Sequence, residues 1–248
     1  MNTRLRHILI VARGAGLELL RRRDLAVLGL FAIILLGFLA IARAIGFDNP
    51  ATGTLVLNLA LTLVTGLAQL MALVTAARQL PDEFENRTIY PLLARPIHRT
   101  DILLGKWLVA WLTGVGIVIA LGIPTWLLVP RLEPYDAGTL AQLALLQPGA
   151  LALVAAGGLA AALLLPRLPA LFAAAAILFG SGHLLRFARG WPPLYALPDP
   201  GRLNLVLRYT DGAAPLAAGA FVLLLVYAGL WTALLLGAAN FRFQRRSV

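Results

Sequence analysis

Gly105-Lys106 has the order of the residues that close a phosphate-binding loop, in which backbone amides and a lysine hold nucleotide phosphates. The spacing rules that chemistry out, because the first glycine of the motif falls on Thr100 and its Ser/Thr on Trp107. His7, His98 and His183 are far apart, with no metal-ligand spacing and no matching nucleophile and carboxylate. The sequence has no cysteine, which removes disulfides, thiolate metal sites and cysteine nucleophiles. No catalytic constellation, metal site or cofactor is expected in this chain. His183 lies in an apolar run, where an ionisable side chain is a functional candidate by default. Near the end of that short run such a residue is more often an interfacial hydrogen-bonding side chain. An intramembrane enzyme would need acidic residues or histidines clustered at helical spacing within apolar runs, and the sequence offers none.

The elements that would carry these residues are mostly apolar. Of 248 residues, 60% are hydrophobic and 13% charged, with a mean hydropathy of +0.85. Ordinary soluble domains carry about 25% charged residues, so there is too little polar surface here to cover a soluble fold. Lipid is the expected solvent, and helices the expected spanning element, because a bilayer core leaves no water for unpaired backbone groups. The expected fold is an all-α, polytopic integral membrane protein with six transmembrane helices. Its spans are read at 25–45, 54–77, 102–129, 143–165, 170–187 and 214–240. The runs suit the ~20 residues needed to cross roughly 30 Å of hydrocarbon. The fifth is the shortest, is flanked by Pro166 and Pro169, and contains Gly180 and Ser181. Ala42-Arg43-Ala44 has a signal-peptidase look, but the preceding apolar run is longer than the roughly 7–15 residues of a signal core, so it reads as a span.

The formal net charge is +10, yet the basic residues flank the apolar runs and do not interleave with aromatics, so they read as topology determinants and not as a nucleic-acid surface. In the six-span reading Arg43, Arg131, Arg186, Arg189, Arg202 and Arg208 lie on one side and the other 15 of the 21 Lys and Arg on the side of both termini. Both ends are therefore expected in the cytoplasm, with the chain in the plasma (bacterial inner) membrane. Residues 1–24 precede the spans. Leu5, Ile8, Leu9, Ala12, Gly16 and Leu19 recur there at helical spacing among Arg4, Arg6, Arg13 and Arg21, Arg22 and Arg23. This is expected to be an amphipathic helix on the membrane surface, its arginines near anionic headgroups. Residues 241–248 form a basic tail. Gly157, Gly158 and Ala161 in the fourth span, and Gly114 and Gly116 in the third, permit close helix approach, and Pro124 is placed to kink the third. The Pro-rich segment 188–213 on the far side is expected to hold short helices dipping toward the membrane.

The most informative stretch is the segment 78–101, expected as a cytoplasmic loop. Its acidic half (Asp82, Glu83, Glu85) precedes a basic half, and the acidic residues suit the start of a short helix through its dipole. Leu92, Leu93 and Ile97 supply apolar anchors and Pro96 interrupts them, a pattern that fits a docking element.

The order Glu85, Arg87-Thr88, Leu92-Leu93, Arg95-Pro96-Ile97, Arg99 and Leu104-Gly105-Lys106 resembles the permeases of type-2 ABC transporters. Arg87 stands where many members have glycine before the threonine. Within that family the local pattern is most similar to permeases grouped with multicopper-enzyme maturation, although two methionines and no cysteine give copper no soft ligands. The resemblance implies one half of a type V exporter, in which two permease copies, identical or paralogous, form the pathway and separate ATP-binding cassette subunits dock beneath. ATP and magnesium would act in those partners. It further implies a coupling helix between spans 2 and 3, with Asp82, Glu83, Glu85, Arg87, Thr88, Leu92, Leu93, Arg95, Pro96 and Arg99 coupling to the ATPase. The N-terminal helix, with Arg4, Arg13, Arg21, Arg22 and Arg23, would be the connecting helix, and an extracytoplasmic accessory protein is compatible. A subunit of the same fold that anchors or transmits force without moving a solute is the alternative.

Overall fold

The computed structural model describes residues 3–20, 24–45, 50–85, 98–128, 136–187 and 197–245, and all of its regular elements there are helical. In chain order they are α1 (Thr3–Leu20), α2 (Asp24–Ile45), α3 (Pro50–Glu85), α4 (Arg99–Ile117), α5 (Ile123–Leu128), α6 (Ala137–Leu164), α7 (Arg167–Phe187), α8 (Val206–Thr210) and α9 (Ala218–Arg245). A π turn, Val118–Gly122, joins α4 to α5, and a 3₁₀ turn, Pro200–Leu203, precedes α8. Five helices (α2, α3, α4 with α5, α6, α9) are long and apolar enough to cross a membrane, and α7 carries a shorter apolar stretch, Leu168–Ser181.

The bundle is built around α6, which packs against α3, α4, α7, α8 and α9. Its sequence is apolar on every side, as suits a helix that meets other helices and lipid and not water. Asp136 starts it as an N-cap: the carboxylate accepts the Thr139 amide (2.6 Å) and hydroxyl (3.0 Å). The small residues let neighbours come close. A methyl group on Gly158 would lie 2.9 Å from the Ala76 Cβ and 3.1 Å from the Leu73 carbonyl of α3, and one on Gly114 would lie 2.7 Å from Leu151 of α6. Without a solvent-driven hydrophobic force inside lipid, such close backbone approach is what holds helices together. Gly116 has no such neighbour.

Two tryptophans set the register of α4 on α6. Trp107 and Trp111, one turn apart and stacked at 5.8 Å, donate their indole N–H groups to the carbonyls of Ala152 (3.1 Å) and Pro148 (2.9 Å). The matching four-residue steps run in opposite directions, as antiparallel helices require. Pro124 does disturb the helix as expected. Having no N–H, it cannot continue the ladder, and the π turn directly before it absorbs the mismatch, with the Ile123 amide reaching the Ile119 carbonyl.

Opposite the α1 end, the chain from Pro198 to Ala217 covers the bundle. Leu203, Val206 and Tyr209 are buried there, the Tyr209 hydroxyl accepts from the Trp126 indole (2.6 Å), and Tyr227 of α9 links Asp199 N–H (2.8 Å) to the Leu197 carbonyl (3.0 Å). Gly212, at φ +65°, ends the α8 turn. Gln142 then clamps the chain before α9, exchanging two hydrogen bonds with the Leu216 backbone at 2.9 and 2.7 Å. Short helices are thus present in the part of the 188–213 segment that is described; Ala188 to Ala196 lies outside it.

Several expected boundaries move. Helix α3 runs through Pro81 to Glu85, so 78–85 is not loop. Asp82, Glu83 and Glu85 therefore close a helix and do not open one, and an ion pair described below holds Glu83 there. Likewise α6 begins at Ala137 because Asp136 caps it, α9 begins at Ala218 because Gln142 engages both backbone groups of Leu216 and holds them outside the helix, and 241–245 continues α9.

Outward-facing residues are apolar to a degree that water would not tolerate. Ile33 and Ile34 of α2, and Leu223 and Leu234 of α9, are each more than 60% exposed, and only 6% of the apolar stretch of α9 is buried. Such a surface is solvated by lipid or by another membrane helix.

Candidate functional site

At one end of the bundle the tips of α1, α3, α4 and α9 converge on a buried polar cluster. Lys106 of α4 is 1% exposed; its Nζ lies 2.6 Å from Glu83 Oε1 and donates to the Gln79 carbonyl at 3.4 Å, both at the end of α3. The expectation for a lysine at a helix mouth is a stem reaching to headgroups. Here the side chain turns inward, because the partner carboxylate is supplied one helix away.

Acidic residues at a helix C-terminus oppose the dipole by roughly 0.3–1 kcal/mol each. A buried lysine left without a counter-charge would cost several times that. The pair therefore decides where Glu83 sits. Glu85, two residues further on, is exposed.

Arg99, in the first turn of α4, donates from Nη1 to the Phe243 carbonyl (2.9 Å) and the Gln244 carbonyl (3.3 Å), and its guanidinium lies 5.7 Å from the Phe243 ring. These carbonyls are among those that a helix end leaves without intrahelical donors, so Arg99 caps α9 from outside. Thr100 donates to Asn240 Oδ1 (3.1 Å), and Phe84 meets Phe243 edge to face at 6.4 Å.

Helix α1 lies across α4. A methyl group on Gly105 would stand 2.8 Å from Val11 Cγ1 and 3.0 Å from the Ile8 carbonyl, so only glycine admits α1 at this depth. His7 Nδ1 is 3.9 Å from the buried Asp101 carboxylate. The apolar stripe read from the sequence divides: its Ala12 is buried, as is Val11, which was not counted in the stripe and packs on Gly105 of α4, while Leu5 and Leu9 stay exposed beside Arg4, Arg6 and Arg13. α1 thus has a protein-facing side as well as an exposed amphipathic one.

Of the residues expected to couple, the structure brings Asp82, Glu83, Glu85 and Arg99 to this end of the bundle. Arg87, Thr88, Leu92, Leu93, Arg95 and Pro96, with Arg21, Arg22 and Arg23, lie outside the described residues. Gln79, Lys106 and Phe243 join the cluster without having been singled out for it. Their signal was faint: an amide, a lysine and an aromatic at the rims of apolar runs, meaningful only once three helix ends meet. Among the described residues no group of three or more His, Asp or Glu is arranged to hold a metal.

Residues 18–181 match the family model described as ABC-2 family transporter protein. No curated protein matches the chain.

Proposed function

Since this chain belongs to the ABC-2 transporter family and is a membrane-spanning permease subunit of an ABC transporter, we propose that the α1 end of its bundle is the cytoplasmic coupling face of an exporter of the type V class. In this reading two permease copies form the pathway and separate ATP-binding cassette subunits, carrying ATP and magnesium, dock at residues 82–99. Six spans leave both termini in the cytoplasm. The observation that carries the reading is the rigid joint at this end, where Lys106–Glu83 ties α3 to α4 and Arg99 ties α4 to α9. Both helices that flank the 86–97 segment are thereby fastened to the bundle core. A push on that segment would move α3, α4 and α9 together, as a coupling element must, and would not be lost in a hinge.

Helix α1, seated on α4 at Gly105, adds a second lever, with Arg4 and Arg13 at the headgroups. Exposed Glu85 is the side chain best placed to meet a basic residue of the ATPase, while Glu83 serves internally through Lys106.

The test is co-purification of the permease with the cassette ATPase for Glu85→Lys and Arg87→Glu, with membrane insertion checked for each. Charge reversal that leaves a desolvated partner unpaired is expected to weaken docking by about 2–5 kcal/mol, and an exposed rim charge by much less. Full binding and full substrate-dependent hydrolysis in both variants would refute the coupling assignment. Hydrolysis that no solute or lipid stimulates would favour a force-transmitting role over transport.

A further inference from the structure

In the half of the bundle away from α1, a cavity of about 410 Å³ lies between α3, the π turn with α5, and α6, roofed by Val206 of α8. Ligand sites typically occupy roughly 300–1,000 Å³. No charged side chain lines this one, and its inner wall is aliphatic, with Leu61 and Val64 on one side and Leu143 and Leu151 on the other. Ile119, Ile123 and Ala144 also line it, and all three are exposed on the outer face of the bundle. The mouth therefore opens sideways, between the π turn and α6, onto the flank that meets the bilayer.

Three polar side chains contribute to the wall. The Thr65 hydroxyl donates to the Thr62 carbonyl and the Trp126 indole to Tyr209. Gln147, 2% exposed, has no hydrogen-bond partner for either its Oε1 or its Nε2. An amide left so in an apolar wall is a standing penalty that a ligand group can relieve. Its three side-chain torsions let the amide turn from the wall to a bound chain. Pro148, the next residue, has no N–H for the carbonyl of Ala144 at the mouth, which leaves a second acceptor for a ligand hydroxyl.

We infer that this lateral cavity binds one aliphatic chain of a neutral amphiphile taken from the bilayer, its hydroxyl or carbonyl held by the Gln147 amide. Neutrality follows from the uncharged lining, since a charged head drawn into this wall would have no counter-ion. The bilayer is the source because the mouth faces it. The inference goes beyond the transport reading and does not depend on the ATPase partner.

The test uses the full-length chain in phosphatidylcholine nanodiscs with a diazirine-bearing hexadecanol as probe, and cross-linked peptides mapped by mass spectrometry. Labels are expected in 115–126 and 140–151, displaced by hexadecanol but not by hexadecyltrimethylammonium. Ala144→Trp, at an exposed position that burdens no core contact, is expected to suppress this labelling by closing the mouth. In Gln147→Leu the preference for hexadecanol over hexadecane should fall about tenfold, equivalent to ~1.4 kcal/mol. Labelling spread over the exposed faces of α2 and α9 and indifferent to Ala144→Trp would overturn the proposal. So would exclusion of the probe together with disulfide formation between two copies of Ala144→Cys, which in this cysteine-free chain would mean that a second copy covers the mouth.

Discussion

Lys106 Nζ and Glu83 Oε1 stand 2.6 Å apart in the interior, joining the end of α3 to the beginning of α4 across a segment of 22 intervening residues. Neither residue would be stable there alone. The lysine is almost wholly buried and the carboxylate is 16% exposed, so each is the reason that the other is tolerated.

Lys106→Ala is accordingly expected to destabilise the chain by about 3 kcal/mol, the lower end of the range for breaking a buried pair, because Glu83 keeps some access to water. Replacing both partners with apolar residues, Lys106→Met with Glu83→Leu, should return stability to within about 1 kcal/mol of the wild type. Thermal melting of the detergent-solubilised chain separates the cases. A single variant as stable as the wild type would mean that the pair is not buried.

Glycines that look alike in the sequence should behave oppositely. Gly158→Ala forces a methyl group against the Leu73 backbone carbonyl of α3, which cannot rotate away, and should cost about 1–3 kcal/mol. Gly116→Ala meets open space on an exposed helix face and should stabilise by about 0.4–1 kcal/mol. Melting temperatures moving in the same direction would count against the close approach of α3 and α6.

Arg99→Gln removes the cationic cap from the end of α9 and should cost about 1 kcal/mol locally while leaving the remainder of the bundle intact. Amide exchange read over Ala239–Arg245 should accelerate, with little change in α6. Equal acceleration throughout would indicate a global and not a capping role.

Reporter fusions after Arg245 and within 86–97 are expected to read cytoplasmic, and those near Asn49 and within 197–217 external, if the surplus of arginine at the α1 end sets orientation. An external C-terminus would exclude the six-span arrangement.

Membrane residence and the all-α class follow from composition alone, because lipid demands long apolar runs and an internally satisfied backbone, and both are local properties of a chain. The family was legible in about twenty residues around Thr88, Pro96 and Gly105-Lys106, where residue order carries the likeness. The small residues Gly114 and Gly158 could also be read as packing positions from their type. What no local reading supplied was the pairing of distant residues. Pro81 and the acidic run after Gln79 look like loop because proline and helix-end carboxylates are locally unfavourable, and the ion pair that Lys106, arriving from another helix, makes with Glu83 offsets that cost. Gln142 meeting Leu216, Arg99 meeting Phe243, and the indoles of Trp107 and Trp111 reaching α6 are of the same kind. Each joins groups more than 35 residues apart, so their energies depend on how the helices cross. Tertiary structure alone decides that, because helix packing in lipid rests on close fit and on buried polar contacts between helices, neither of which leaves a periodic trace in the sequence.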